Sequence, residues 1–224
     1  MKGTIMTTTS ISEQVGEFNK GFTAQIGPDL SAVFDQEQNE LTHGGVPADA
    51  VALGDVVADA ELVGLDGQSV KLFTITAGRP AVLVFYRGAW CPYCNITLRT
   101  YERDLRPKLD ELGVALVAIS PQTPDGSTAA IQGGELHFPV LSDPSNAFAR
   151  ALGIVTEPSA AARLAHTELG FDVADSNADS TAGIPFPTVL IIDADSTVRF
   201  ADVHVDYTTR TEVPEILQAL SFFS

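Results

Sequence analysis

Residues 81–95 read "AVLVFYRGAWCPYCN", an apolar run followed closely by both cysteines of the chain. The run from Ala81 to Tyr86 suits a strand buried on both faces, and Pro80 marks its start. Pro92 lacks an N–H and fits a first helical turn without penalty, so a helix is expected to open at the cysteines. A CxxC at such a junction meets unpaired backbone N–H groups and the positive end of a helix dipole. That setting lowers a thiol pKa from about 8.5 toward roughly 3.5–7.5, which makes Cys91 the expected attacking thiolate. Cys94 lies three residues on, shares its face, and is the expected resolving thiol.

Other uses of the pair are weighed against this redox reading. Haem attachment requires a histidine after the second cysteine, and residue 95 is asparagine. Structural zinc requires four ligands, whereas His43, His137, His166 and His204 are scattered singly and no second cysteine pair exists. The bland alternative is a pair of small buried hydrophobes. Arg87 is either a cation that depresses the Cys91 pKa or an ordinary ion-paired arginine at a strand end. Trp90, the single tryptophan, either shields the thiol or packs in the core. His137 and His204 have no sequence context for catalysis, and Ser120 is at most a lining residue.

Working outward, Leu98, Tyr101, Leu105, Leu109 and Leu112 follow a helical spacing that ends at Gly113, with Pro107 expected to kink or break it near 103–106. "VALVAIS" (114–120) is a second buried strand, and strand–helix–strand implies a right-handed parallel unit. "ELVGLDGQSVKLF" (61–73) places Asp66-Gly67 at a hairpin turn. "FPVL" (138–141) reads as a short strand, with helices expected over "NAFARALG" and "EPSAAARLAHTELGFD". "ADSNADSTAG" (174–183) reads as a polar loop. "TVLIID" and "TVRFADV" form a hairpin across Ala194-Asp195, and "EVPEILQALSFF" is the closing helix.

Ahead of this body, Ile11, Val15, Phe18, Phe22, Ile26, Leu30, Val33 and Phe34 mark two helical segments divided at Gly27-Pro28. "THGGVPADA" (42–50) reads as a linker. Residues 1–50 are therefore expected to be a helical extension with its linker, and 51–224 the main domain. With 45% hydrophobic residues the chain can build a real core, so wholesale disorder is excluded. A net charge of −16 argues against nucleic acid or an anionic membrane as partner. No apolar run approaches the length of a membrane span, and residues 1–18 lack the apolar core of a signal peptide. A cytoplasmic location, with a reduced dithiol and no disulfide framework, is the expectation.

"GDVVADAELVGLDGQSVKL", a strand, "WCPYC", "LSDPSNAFARALGI" and the ending "PFPTVLIIDADSTVRFADVHVDYTTRTEVPEILQAL" together resemble the peroxiredoxin-like branch of the AhpC/TSA (alkyl hydroperoxide reductase / thiol-specific antioxidant) family. The likeness covers about residues 51–221. It implies an α/β thioredoxin-like sandwich with a mixed central sheet and an N-terminal β-hairpin, to which this chain adds its helical extension. Cys91 matches the peroxidatic cysteine, and Pro92 follows it as in many relatives. The threonine usual three residues earlier is Gly88 here, and the peroxide-binding arginine falls near Pro187. Pro187, in "FPT", instead matches the cis-proline of thioredoxins and is expected to be cis. The buried acid of thioredoxins is replaced by Phe85.

The resemblance implies a thiol peroxidase that needs no cofactor or metal, takes a hydroperoxide and is recycled by thioredoxin or another dithiol donor. A thioredoxin-like reductase of protein or small-molecule disulfides is the alternative, and a sensor or binding protein a third class. Arg87, Trp90, Pro92, Tyr93, Pro187 and Thr188 are the expected substrate-binding or activating residues, and a homodimer is left open.

Overall fold

The computed structural model describes residues 9–221. Residues 1–8, read above for a leader, and Phe222 and Phe223, expected to end the last helix, lie outside it. The chain opens with α1 (Ile11–Gly44), followed by β1 (Glu61–Val63), β2 (Ser69–Lys71), α2 (Leu72–Thr76) and β3 (Ala81–Phe85). Next, α3 (Pro92–Thr100) continues through a π-helical turn at Tyr101–Leu105 into α4 (Arg106–Leu112), β4 (Ala115–Ser120), α5 (Pro124–Gly134) and β5 (Val140–Ser142). After a 3-10 turn come α6 (Ala147–Ala151), β6 (Val155–Thr156), α7 (Ala160–Glu168), α8 (Val173–Ser176) and β7 (Ile184–Pro185). β8 (Thr188–Ile192), β9 (Val198–Val203) and α9 (Val213–Leu220) complete the chain.

Seven strands form one mixed sheet in the order β2-β1-β5-β4-β3-β8-β9, with β3, β4 and β5 parallel and β8 antiparallel to β3. The central strands read as continuous apolar runs because helices cover both faces. Val82, Val84 and Tyr86 point into one core with α3, α4, α5 and α9, while Ala81, Leu83 and Phe85 point into the other with α2 and α6. The Asp66-Gly67 hairpin joins β1 to β2 and pairs with β5 at the sheet edge, as the sequence predicts.

Pro107 removes a helical N–H and crowds the preceding turn, and the chain answers with the π turn immediately before it. Leu98, Tyr101, Leu105 and Leu109 are buried as expected, but Leu112, the last helical residue, is exposed. "ADSNADSTAG" is more ordered than a polar loop: its first three residues complete α8, and buried Asn177 donates to the Thr181 and Gly183 carbonyls.

α1 bends at Gly27, whose φ of 80° only glycine adopts freely, and Pro28 starts its second arm. Ser10 and Glu13 form a capping box at its start. The Glu212 carboxylate accepts from the Ile11 and Ser12 N–H groups at 3.0 and 2.8 Å, which fastens α1 to the start of α9. The rest of α1 packs on α3 and α7, the two elements that flank the cysteines' surroundings.

Candidate active site

Cys91 is the N-cap residue of α3 in extended conformation and Pro92 is the first helical residue, as the sequence predicts. Both thiols are free and buried, at 1% and 0% exposure, so access to either sulfur is controlled by what surrounds it. The loop between β3 and α3 is clamped from two sides. Gln122 Oε1 accepts from the Ala89 N–H at 2.8 Å, and Asn95 Nδ2 donates to the Ala89 carbonyl at 2.8 Å. Gln122 also donates to the Tyr86 hydroxyl at 2.9 Å.

Gly88 belongs to this clamp. Its φ is +149°, and a Cβ there would lie 2.5 Å from Trp90 Nε1 and 3.1 Å from Gln122 Oε1. The threonine usual at this place would collide with the Trp90 ring. Glycine at this place makes room for the Trp90 ring.

Burial, then the hydrogen bond with Cys94 and its charge, pushes the Cys91 thiol well above its ordinary range, against the pull of Arg87 and Arg210. Burial acts the same way on Cys94, but the Cys91 hydrogen bond, the Arg210 charge and the Arg87 backbone N–H outweigh it and hold Cys94 well below the thiol range. Arg210 Nη2 is 3.2 Å from Cys94 Sγ. Arg210 thus adds to the helix N-terminus a second positive group at the dithiol, on the side of Cys94. A directly bonded guanidinium is a stronger partner than a helix dipole, which is worth about 0.3–1 kcal/mol.

Arg210 escaped the sequence reading because it lies 116 residues from Cys94, in a loop with no motif. The fold delivers it through Tyr101, whose hydroxyl donates to the Thr211 carbonyl at 2.6 Å. His204 braces the same loop, with Nδ1 2.7 Å from Thr209 Oγ1 and Nε2 3.0 Å from the Asp202 carboxylate.

Arg87 is 5% exposed and no carboxylate pairs with it among the described residues. Its guanidinium lies over the Tyr207 ring at 4.3 Å and the Trp90 ring at 5.0 Å, a cation held by aromatic faces. The ion-paired strand-end reading of Arg87 is thus replaced by a site beside the thiols. Trp90 also packs on Phe171 and His166, at 5.3 and 5.8 Å between ring centroids. Tyr93 donates to Asn19 Oδ1 at 2.8 Å and meets the edge of Phe18, so it ties α1 to the first turn of α3. Burial pushes its hydroxyl pKa to about 12, which keeps it protonated at neutral pH.

These side chains border a half-open cavity of about 390 Å³ that Cys91, Arg87, Trp90, Pro92 and Tyr93 line from below. Phe18, Phe22, Ile26 and Phe34 of α1 line it from above, and His166 and Phe171 from the side. Cys94 is not among the lining residues; it faces a narrow gap beneath, with Pro187, Thr188, His204 and Arg210. The six sequence-predicted residues other than the two cysteines thus fall on two sides of the dithiol: Arg87, Trp90, Pro92 and Tyr93 with Cys91, and Pro187 and Thr188 with Cys94.

Pro187 is trans, since no cis peptide occurs among the described residues, and the cis expectation is corrected. The chain runs extended from β7 straight into β8, a course that a trans proline at a strand start follows. Ser120 is buried at the end of β4 and does not line the cavity. His137 pairs with Glu102 on the surface, away from the thiols. His166 was unrecognised in the sequence; burial and the Arg87 charge lower its pKa to about 4, so it is a neutral wall at physiological pH.

Comparison with known proteins bears on the fold and the family. The bcp protein of Haemophilus influenzae, whose name marks it as a candidate peroxiredoxin, is 35% identical over 77 residues, covering 34% of this chain. The match spans about half, 49%, of that relative. Two solved structures share the fold. The peroxidoxin BcpB of Mycobacterium tuberculosis aligns with a TM-score of 0.59 at 21% identity, over 78% of this chain and 99% of its own. Reduced Prx3 of Vibrio vulnificus in complex with hydrogen peroxide aligns with a TM-score of 0.61 at 21% identity, over 76% and 99%. The sandwich is thioredoxin-like, as the resemblance implied. The model of the AhpC/TSA family matches residues 53–201, from just before the hairpin to within β9, and this chain belongs to the AhpC/TSA family.

Proposed function

We propose that the protein is a thiol peroxidase in which Cys91 attacks the substrate and Cys94 resolves the product. The observation that carries the reading is the position of Cys91 on the floor of a cavity it shares with the buried Arg87. The Cys91 proton passes to Cys94, leaving the charge on the sulfur that faces the cavity. That sulfur attacks the distal peroxide oxygen: the S–O bond forms, the O–O bond breaks, and its electron pair leaves with the proximal oxygen. The leaving oxygen takes a proton from solvent and departs as water or an alcohol. Arg87 offsets the charge that develops on it, the office that the family's absent arginine would fill.

Cys91 is then a sulfenic acid, oxidised by two electrons. Cys94 attacks its sulfur, water leaves, and a disulfide closes. An external dithiol donor such as thioredoxin reduces that disulfide by exchange. Because both sulfurs are buried, α1 or the first turn of α3 opens for that step. The cytoplasm, where thiols stay reduced, is the compartment this cycle suits. The division near residue 50 into an extension and a redox body belongs to the same proposal.

Disulfide reduction is less favoured, because the trans Pro187 removes one of its supports. The test is donor-coupled consumption of hydrogen peroxide and an alkyl hydroperoxide by the wild type and Cys91→Ser. Turnover in the wild type and background rates in Cys91→Ser are expected, with a dimedone-trappable sulfenic acid accumulating in Cys94→Ser. Background rates with both peroxides in the wild type would end the reading.

A further inference from the structure

α1 ends at Gly44, and the family match begins only at residue 53, so the helix is an addition to the shared body. Phe18, Phe22 and Ile26 lie four residues apart and share one face of its first arm, and the bend at Gly27 brings Phe34 of the second arm to the same side. Phe18 and Phe22 stack at 5.1 Å, and Phe34 meets the His166 ring at 5.3 Å. All four α1 residues are half-buried.

A helix docked for stability alone would close this space, because interiors pack to the density of organic crystals. Here the four side chains face a void of about 390 Å³ instead, a size within the range of about 300–1,000 Å³ typical of small-molecule sites. The walls are mainly aromatic or aliphatic, with Gln25 of α1 a polar exception, and the charged group lies at the floor, where Arg87 and the Cys91 sulfur sit together. His166 is buried in the wall, and its Nδ1 has no hydrogen-bond partner among the described residues. A polar head at the floor and an apolar body between the walls is the division of chemistry such a site accepts. Hydrogen peroxide has a head but no body.

We propose that α1 is the specificity element of the site, and that its cavity holds the aromatic or branched apolar body of an organic hydroperoxide with the peroxide group at Cys91. This rests on the peroxidase reading above and assigns its substrate class. Phe18, Phe22, Ile26 and Phe34 set that class, and Trp90 lies where an occupant would contact its ring.

The experiment has two arms. In the first, donor-coupled kcat/KM is measured for cumene hydroperoxide and hydrogen peroxide with the wild type, Phe22→Ala, which removes a wall, and Ile26→Phe, which fills the space. The wild type is expected to prefer cumene hydroperoxide by at least tenfold, and both variants to lose at least tenfold of that ratio. A wild-type ratio near one, or a ratio unmoved in both variants, overturns the proposal. In the second arm, cumyl alcohol is titrated into Cys91→Ser while Trp90, the only tryptophan, reports by fluorescence. Saturable quenching that Ile26→Phe weakens at least tenfold is expected, and no saturation overturns the cavity assignment. If neither peroxide is consumed but the alcohol saturates, the peroxidase reading fails and the apolar site stands.

Discussion

Arg210 Nη2 sits 3.2 Å from Cys94 Sγ, held there by its own Nη1 donating to the Tyr207 and Thr209 carbonyls at 2.6 Å each. The guanidinium is therefore fixed before any substrate arrives, and its charge favours a thiolate at Cys94. Cys94 is held below the ordinary thiol range, so its thiolate persists above that lowered pKa and is lost only as pH falls through it. Removing the cation moves that loss to higher pH. Arg210→Met is expected to shift the acid limb of the pH–rate profile in the alkaline direction and to reduce the rate at neutral pH. The reduction is about tenfold or more, from loss of a charge-assisted hydrogen bond of about 1.5–3 kcal/mol. Thiolate ultraviolet absorbance against pH reads the shift directly, and an unmoved curve would detach Arg210 from the dithiol.

Gly88 and Trp90 are coupled sterically, so restoring the family's threonine alone is harmful. Gly88→Thr places Cβ within 2.5 Å of Trp90 Nε1 at a φ of +149°. The strain and overpacking are expected to cost about 2–4 kcal/mol in denaturant unfolding. The paired change Gly88→Thr with Trp90→Ala removes the collision and is expected to recover part of that loss. A single variant as stable as the wild type contradicts the coupling.

The contrast between these two residues shows what the sequence could carry. The strand, the cysteines and the first helical turn were legible because adjacent residues, from Ala81 to Asn95, make each other's environment. The Gly27-Pro28 break and the effect of Pro107 were legible because both act on their own backbone. Arg210 and His166 were not, since each reaches the site through the packing of other elements. The electrostatics of the pair were legible only in part for the same reason: a local dipole is visible in the sequence, and a distant guanidinium is not. Gly88 was noticed as a departure, yet its cause, the volume of a ring two residues on, needed the fold. α1 announced its helical period, but the period does not say that its apolar face borders a void.

Tyr101 connects the π turn to the Arg210 loop. Its hydroxyl, fully buried, donates to the Thr211 carbonyl at 2.6 Å. Tyr101→Phe leaves that buried carbonyl unpaired, at a cost of about 1–3 kcal/mol. Because the carbonyl belongs to the residue after Arg210, a part of the effect should appear at the dithiol. The expected signature is an alkaline displacement of the thiolate titration, in the same direction as Arg210→Met but smaller. Destabilisation with an unchanged titration would make Tyr101 a purely structural residue.

His166 gives the folded protein a pH dependence of its own. Burial and the Arg87 charge lower its pKa from 6.5 to about 4, with Asp172 acting weakly the other way. Between those values the unfolded chain binds a proton that the folded chain refuses, so stability rises with pH across this window and is lost as pH falls through it. The contribution of this one group is about 1–3 kcal/mol between pH 6.5 and pH 4. His166→Phe keeps an aromatic ring against Phe34 and Phe171 and removes the titration. Unfolding free energies measured in denaturant from pH 7 to pH 4 are expected to fall less steeply in the variant than in the wild type. Parallel curves would mean that the imidazole is hydrated in the folded protein and that the wall of the cavity at His166 is open to water.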